Sequence, residues 1–225
     1  MSTITVSHYS DILCVWAYVS QARLHELQEQ FGAEIELDYH FVSVFGSIPK
    51  KIEKGWGHRG GAAGYGKHVL GVGQRFPHLV LHEDVWAACV PQSSMPAHAF
   101  LAAVRLACAA EGEGNQRLAD AASTLRQAFF AECRDISDRR VLMEIAEELG
   151  LSREKIAAEL DSGRAYTVLH DDFERCREQG IRVSPTLLFN EGRQRLTGNV
   201  GYRVIEANIR ELLNEGAEAE QASWC

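Results

Sequence analysis

The chain has 225 residues, 46% hydrophobic and 24% charged, a globular composition with enough apolar side chain to bury a sizeable core. Its formal net charge of -8 argues against a nucleic-acid partner, because phosphate binding needs clustered Lys and Arg. No apolar run is long enough to span a bilayer, and the opening MSTITVSHYSD lacks the basic and apolar regions of a secretory signal; a cytoplasmic location is the expectation.

Ile4 to Tyr9 is rich in β-branched residues and reads as a strand. Ser10-Asp11 breaks it. From Val15 to Gln30 the apolar residues Val19, Leu24 and Leu27 recur at helical spacing, and Gly32 can end the helix. Ile35, Leu37, Tyr39 and Phe41 then alternate with Glu36, Asp38 and His40, a period of two that predicts a strand over Ile35 to Val44. Residues 46–92 are Gly-rich and read as irregular, with short helical stretches. Ser94 to Gln179 reads almost wholly as helix. Ser94, Asn115, Ser137 and Ser152 are expected as N-caps, and Gly150, Gly163 and Gly180 as stops. Thr186 to Asn190 and Gln194 to Thr197 form a predicted hairpin around Glu191-Gly192-Arg193. The last helix is expected from about Asn199, with Val204, Ile205, Ile209, Leu212 and Leu213 on one face. The layout is β-α-β, a helical block, then α-β-β-α. Without the block the rest is one α/β unit, so residues 1–46 and 180–215 are expected as a discontinuous domain, 47–179 as a mostly helical insertion and 216–225 as a tail.

The six cysteines, Cys14, Cys89, Cys108, Cys133, Cys176 and Cys225, are widely spaced and form no CxxC pair, so free thiols are expected and no metal site. Cys108 and Cys133 fall in helical patterns, as small core hydrophobes would. Cys14 differs. It follows the first strand and begins the first helix, where unpaired N–H groups favour an anion. A lowered pKa and a reactive thiolate are expected there; the plain alternative is an inert buried thiol. The second element is Val183-Ser184-Pro185-Thr186, a proline at the start of an apolar strand, where it cannot donate to the ladder. It is either a cis proline in a tight turn or an ordinary trans one.

Gly55-Trp56-Gly57-His58-Arg59-Gly60 fits the G-x-G-x-x-G spacing but does not follow a strand directly, so it reads as an insertion loop. Its His58 and Arg59, with Lys67, are candidates to meet an acidic ligand. His78 and His82 lack a third metal ligand. His8 and His40 sit on predicted strands, from which either can reach Cys14 and help form a thiolate. Cys225, at the chain end, is a candidate distant resolving thiol.

The frame Asp11-Ile-Leu-Cys14-Val-Trp16-Ala17-Tyr18 resembles the active-site segment of the DsbA family, in which an aspartate precedes a CPWC motif. Gly180 to Asn190 resembles that family's cis-proline loop and following strand, and Leu196-Thr-Gly-Asn199 its last-helix approach. The resemblance implies a thioredoxin-like α/β fold with an α-helical insertion. It implies Cys14 as the catalytic nucleophile and Pro185 as the cis proline packed against it. Ser184 would offer its backbone to a bound peptide or glutathione, and Trp16 would be an apolar substrate contact. Ala17 stands where the family has its second cysteine, and Val15 where it has proline. Thiol–disulfide exchange would therefore rely on one cysteine, with glutathione as co-substrate and no permanently bound cofactor. Kappa-class glutathione transferases and 2-hydroxychromene-2-carboxylate isomerases are similar too. They carry a serine and a proline in place of Cys14-Val15, and the isomerases share Ala17-Tyr18. Their acidic glutathione-binding residue corresponds roughly to Asn199. A glutathione-dependent isomerase or transferase acting on an aromatic small molecule is the alternative function, and a non-catalytic thiol-sensing module a further one. A homodimer is left open.

Overall fold

The computed structural model describes residues 3–112 and 114–215; the expected tail and Cys225 lie outside them. β1 (Ile4–Ser10) runs parallel to β2 (Ile35–Phe41), because the helix between them, α1 (Val15–Phe31), carries the chain back along the sheet. Antiparallel β3 (Thr186–Phe189) pairs with the other side of β1, and β4 (Gln194–Thr197) with β3, giving the order β2-β1-β3-β4. The register sets Val6 between Leu37 and Phe189, and His8 between Tyr39 and Leu187. β1 and β3 are buried almost throughout, as central strands covered on both faces must be. The last helix, α9 (Tyr202–Glu215), starts three residues later than expected and buries Ile205, Ile209 and Leu212, while Val204 points outward at 49% exposure.

α1 presents Ala17, Ser20, Leu24, Leu27 and Phe31 to the sheet at alternating spacings of three and four, the stripe of a helix packed on one side. It ends at Gly32, whose φ of 50° only glycine adopts readily.

Between β2 and β3 the described residues form seven α-helices: α2 (Ile48–Trp56), α3 (Gly61–Gly73), α4 (Met95–Ala110), α5 (Asn115–Phe130), α6 (Arg139–Glu148), α7 (Arg153–Asp161) and α8 (Arg164–Glu178). The Gly-rich stretch read as irregular with short helical stretches thus holds α2 and α3 in its first part and no α-helix over residues 74–92. Each glycine costs about 1 kcal/mol of helix propensity against alanine, and α3 offsets this by burying Tyr65, Val69 and Val72. Its glycines also allow close approach: a Cβ on Gly66 would stand 2.6 Å from the Val85 carbonyl oxygen, and one on Gly64 would strike the Arg59 carbonyl. The helix starts are partly as expected. Ser152 caps α7 by accepting from the Lys155 N–H, whereas Asp138, not Ser137, caps α6, and Asn115 is the first residue of α5. Cys108 is buried in α4, but Cys133 lies outside the helices in a left-handed turn (φ 55°), half-buried with its thiol donating to the Asp84 carbonyl. No described helix is long and apolar enough to cross a membrane.

Candidate functional site

Cys14 is the N-cap of α1, in extended conformation (φ -83°, ψ 115°), with Sγ 3.3 Å from the carbonyl oxygen of Ser184. The Ser184–Pro185 peptide bond is cis. Two segments 170 residues apart therefore meet, and a second link joins them: the Asp11 N–H donates to Ser184 Oγ at 2.9 Å. The Pro185 carbonyl accepts from the Gly198 N–H at 2.8 Å, which closes the loop onto the end of β4.

The thiol departs from the expected lowered pKa. Burial, which leaves Cys14 only 7% exposed, pushes it above the ordinary thiol value. The Ser184 side chain and the N–H groups of Ala17 and Trp16 favour the thiolate, as a helix start should, while the Asp11 carboxylate opposes it. Desolvation outweighs the helix start because the sulfur is enclosed rather than facing water.

Asp11 is fully buried and shapes that enclosure. Its Oδ2 accepts from the N–H groups of Val44 (2.9 Å) and Phe45 (2.7 Å) and from Ser94 Oγ (3.0 Å), and its Oδ1 from Leu13 N–H (3.0 Å). One carboxylate thus ties the start of α1 to the exit of β2 and the start of α4. His98 of α4 accepts the Ile12 N–H on Nε2 at 3.1 Å, and burial lowers its pKa, so the ring is neutral. The phenol of Tyr65, on α3, lies within the electrostatic reach of both Cys14 and Asp11, and burial pushes its pKa up. Sequence reasoning passed over Ser94 as a helix cap and missed His98 and Tyr65 altogether. Nothing in their local pattern distinguishes them from ordinary helix residues.

The other expected site residues are distributed as follows. Trp16 is half-buried beside the thiol, edge-on to Phe76 (6.1 Å), with the Arg75 guanidinium 5.5 Å from its ring. Val183, next to Ser184, is 45% exposed. Asn199 is exposed in the loop before α9, and its Oδ1 accepts from Arg23 Nη1 at 2.6 Å; Arg23 in turn stands 6.0 Å from the Phe76 ring. Neither strand histidine serves the thiol. His40 holds Asp172 (Nδ1, 2.7 Å) and Asp38 (Nε2, 2.8 Å). His8 is buried with both ring nitrogens unpaired, lines a small cavity with Pro185 and Leu187, and is depressed to about pKa 3 by burial. The Gly55–Gly60 run spans the end of α2 and a 3-10 turn, not a strand-to-helix turn, and Arg59 stacks over Trp56 at 4.2 Å. His78 and His82 are engaged separately, with the Val19 carbonyl and the Asp84 N–H. Cys14, Cys89, Cys133 and Cys176 are free thiols.

A thiol at the start of a helix, facing a cis-proline loop across a four-stranded sheet with a helical block inserted, defines a class. The chain matches the DSBA-like thioredoxin domain over residues 5–210 and belongs to that family. Among individual proteins, the SpxH of Bacillus subtilis, described as a ClpXP adapter protein, is 30% identical over 113 residues, 48% of this chain and 38% of that one. The match therefore spans well under half of that relative's length. Among solved structures, the cytosolic disulfide reductase DsbM of Pseudomonas aeruginosa aligns with a TM-score of 0.68 and 20% identity, covering 92% of this chain and 98% of that one. DsbM with GSH aligns at 0.66 and 21%, covering 95% and 99%. A 2-hydroxychromene-2-carboxylate isomerase aligns at 0.63 and 16%, covering 97% and 100%. The shared fold is that of DsbA-like thiol–disulfide oxidoreductases, with the isomerase on the same frame.

Proposed function

We propose that the protein is a single-cysteine thiol–disulfide oxidoreductase that works through Cys14 with glutathione as co-substrate, in the cytoplasm. The observation that carries this is the placement of Cys14 Sγ at the start of α1, 3.3 Å from the Ser184 carbonyl. Trp16 and the exposed Val183 flank it as apolar contacts for a substrate. Residues 1–46 with 180–215 serve as the thioredoxin-like part and 47–179 as the insertion, which contributes Arg75 and Phe76 to the rim.

The Cys14 thiolate attacks a substrate disulfide, forming a mixed disulfide and releasing one substrate sulfur as a thiol after protonation. Ala17 supplies no second thiol. A glutathione thiolate therefore attacks the mixed disulfide and restores Cys14. For a glutathionylated substrate the net change is one substrate thiol formed and one glutathione disulfide released. Arg23 and Arg75, both against the Trp16–Phe76 pair, offer cations for the carboxylates of the tripeptide, with Asn199 beside Arg23. Cys14 is restored in each cycle and cancels from the balance, so the ratio of glutathione to its disulfide sets the direction, while the raised Cys14 pKa limits the thiolate fraction and so slows the first attack.

A second reading, a glutathione-dependent isomerase or transferase, is favoured by the same raised pKa: at neutral pH Cys14 is a protonated hydrogen-bond donor, the role a serine would fill. Glutathione-dependent reduction of a glutathionylated peptide should be abolished in Cys14→Ser. Reduction that persists in that variant sinks the redox reading. Isomerisation of an aromatic substrate that survives the substitution establishes the second one, and a stable glutathione adduct without turnover would make the protein a thiol-based binding module instead.

A further inference from the structure

On the flank of α1 away from its N-terminus, a cleft of about 470 Å³ opens between α1, β2 and α5. That volume falls in the range of small-molecule sites. Its walls are mixed: Tyr18 and Leu24 from α1, Leu37 and Tyr39 from β2, and Leu79 from the segment after α3 give an apolar and aromatic side, and Gln21, Gln28, Gln116 and Ser123 a polar one. Among its lining residues is Arg126 of α5, only 3% exposed.

Arg126 is an anomaly of charge. A buried guanidinium is ordinarily matched by a carboxylate, since an unmatched ion in the interior costs several kcal/mol. Among the described residues no carboxylate forms an ion pair with it. Its Nη2 donates to Ser10 Oγ at 2.9 Å and its Nη1 to Gln21 Oε1 at 3.2 Å, both neutral acceptors, and its Nε finds no partner. Burial lowers its pKa only to about 10, so the group is charged at neutral pH. The guanidinium offers five N–H donors, and those two bonds leave donors unused on a residue that lines the cleft.

We propose that this cleft binds a small organic monocarboxylate with an aromatic or aliphatic body, its carboxylate bonded to Arg126 and its body against Tyr18, Leu24, Leu37 and Tyr39. The choice of a single negative charge follows from what else faces the cleft. Asp120, exposed on the α5 side, adds a negative charge of its own, and among the described residues the lining holds no lysine and no second arginine. Arg126 is thus the one fixed cation among the lining residues, and a planar carboxylate matches its forked donors. A phosphate dianion would bring one charge too many. Cys14 is not among the lining residues, although its charge acts on Arg126, and the proposal does not rest on the thiol chemistry above.

The test is a titration of the full chain with benzoate, followed by calorimetry and by the shift in thermal midpoint, with benzyl alcohol as the neutral probe and phenyl phosphate as the dianionic one. Saturable benzoate binding in the millimolar range or tighter is expected, with benzyl alcohol weaker by about tenfold or more, the effect of losing hydrogen bonds to a charged group. Ala22→Phe places a ring in the cleft from an exposed position of α1, so folding is spared and benzoate binding should be lost. Arg126→Gln should bind benzoate no better than benzyl alcohol. The proposal is overturned by no saturable benzoate binding, by equal binding of benzyl alcohol, by tighter binding of phenyl phosphate, or by benzoate binding that survives Ala22→Phe.

Discussion

Two buried carboxylates stand at the exit of β2 and are neutralised in different ways. Asp172, on α8, is held by cations: His40 Nδ1 at 2.7 Å, and Arg105 Nη1 and Nη2 at 3.2 Å each. Asp11 is held by dipoles, the three N–H groups and the Ser94 hydroxyl, with the neutral ring of His98 3.8 Å away. Both also grip the chain leaving β2, Asp172 through the Phe41 N–H and Asp11 through those of Val44 and Phe45. The difference lies in what the neighbourhood feels. A carboxylate paired with cations has its charge offset, though Cys176 and Tyr9 still feel that of Asp172. One held by amides is stabilised but still projects a negative field, and Cys14 lies in that field. The Asp172 cluster is a clamp between β2, α4 and α8; the Asp11 cluster positions the thiol and tunes it.

The comparison breaks most sharply on removal of each carboxylate. Asp172→Ala leaves His40 and Arg105 without their shared anion and should cost about 3 kcal/mol in urea unfolding, near the low end for a buried pair because Arg105 is 24% exposed. Cys14 alkylation should stay as in the wild type. Asp11→Asn should cost less, about 2 kcal/mol, because the amide oxygen still accepts from the β2 exit. Here the thiol should respond: the wild-type midpoint for iodoacetamide labelling is expected above that of an ordinary thiol, and the variant's should fall. An unchanged midpoint would show that Asp11 acts by geometry alone.

Acid and base should separate the histidines of the two clusters. His40 has a raised pKa: burial alone would lower it, but the bonds to Asp172 and Asp38 outweigh burial. Its contribution is fully present below the unfolded value of 6.5 and is lost as pH rises through the higher folded value. His8 and His98 run the other way. Both are kept neutral by burial, so below pH 6.5 the unfolded chain takes up protons that the folded chain refuses, and stability falls with pH, down to about pH 3 for His8. Stability measured against pH should show His40→Gln losing the fall on the alkaline side of 6.5 and His8→Leu losing part of the acid-side fall. Swapped behaviour would reverse the assignment of charge. The smallest effect belongs to a cap remote from both carboxylates: Ser152→Ala should cost about 1 kcal/mol through α7 and leave both the pH profile and Cys14 labelling untouched.

Much of this was legible along the chain. The alternation of β2, the α1 stripe and the β3–β4 hairpin are local patterns, and local patterns follow from backbone periodicity. The position of Cys14 at a helix start and of Pro185 at a strand start could be read in the same way. α2 and α3 were not, because their glycines lower local propensity while the gain comes from packing against residues such as Val85 and Trp86. The cap at Asp138 was displaced by one residue from the expected Ser137 because either side chain can accept a hydrogen bond there, and the backbone geometry chooses.

The sequence by itself determined the order of elements, the α/β frame and the alanine three residues after Cys14, since these depend on residue identity and on neighbours a few positions apart. The tertiary structure alone decided the electrostatics. It buried Cys14 and so raised the pKa that a helix start would have lowered; it gathered Asp11, Ser94 and His98 from separate segments; it paired His40 with Asp172 across 132 residues; and it left Arg126 without an anion. Desolvation and charge pairing depend on distance in space, which no spacing along one chain encodes.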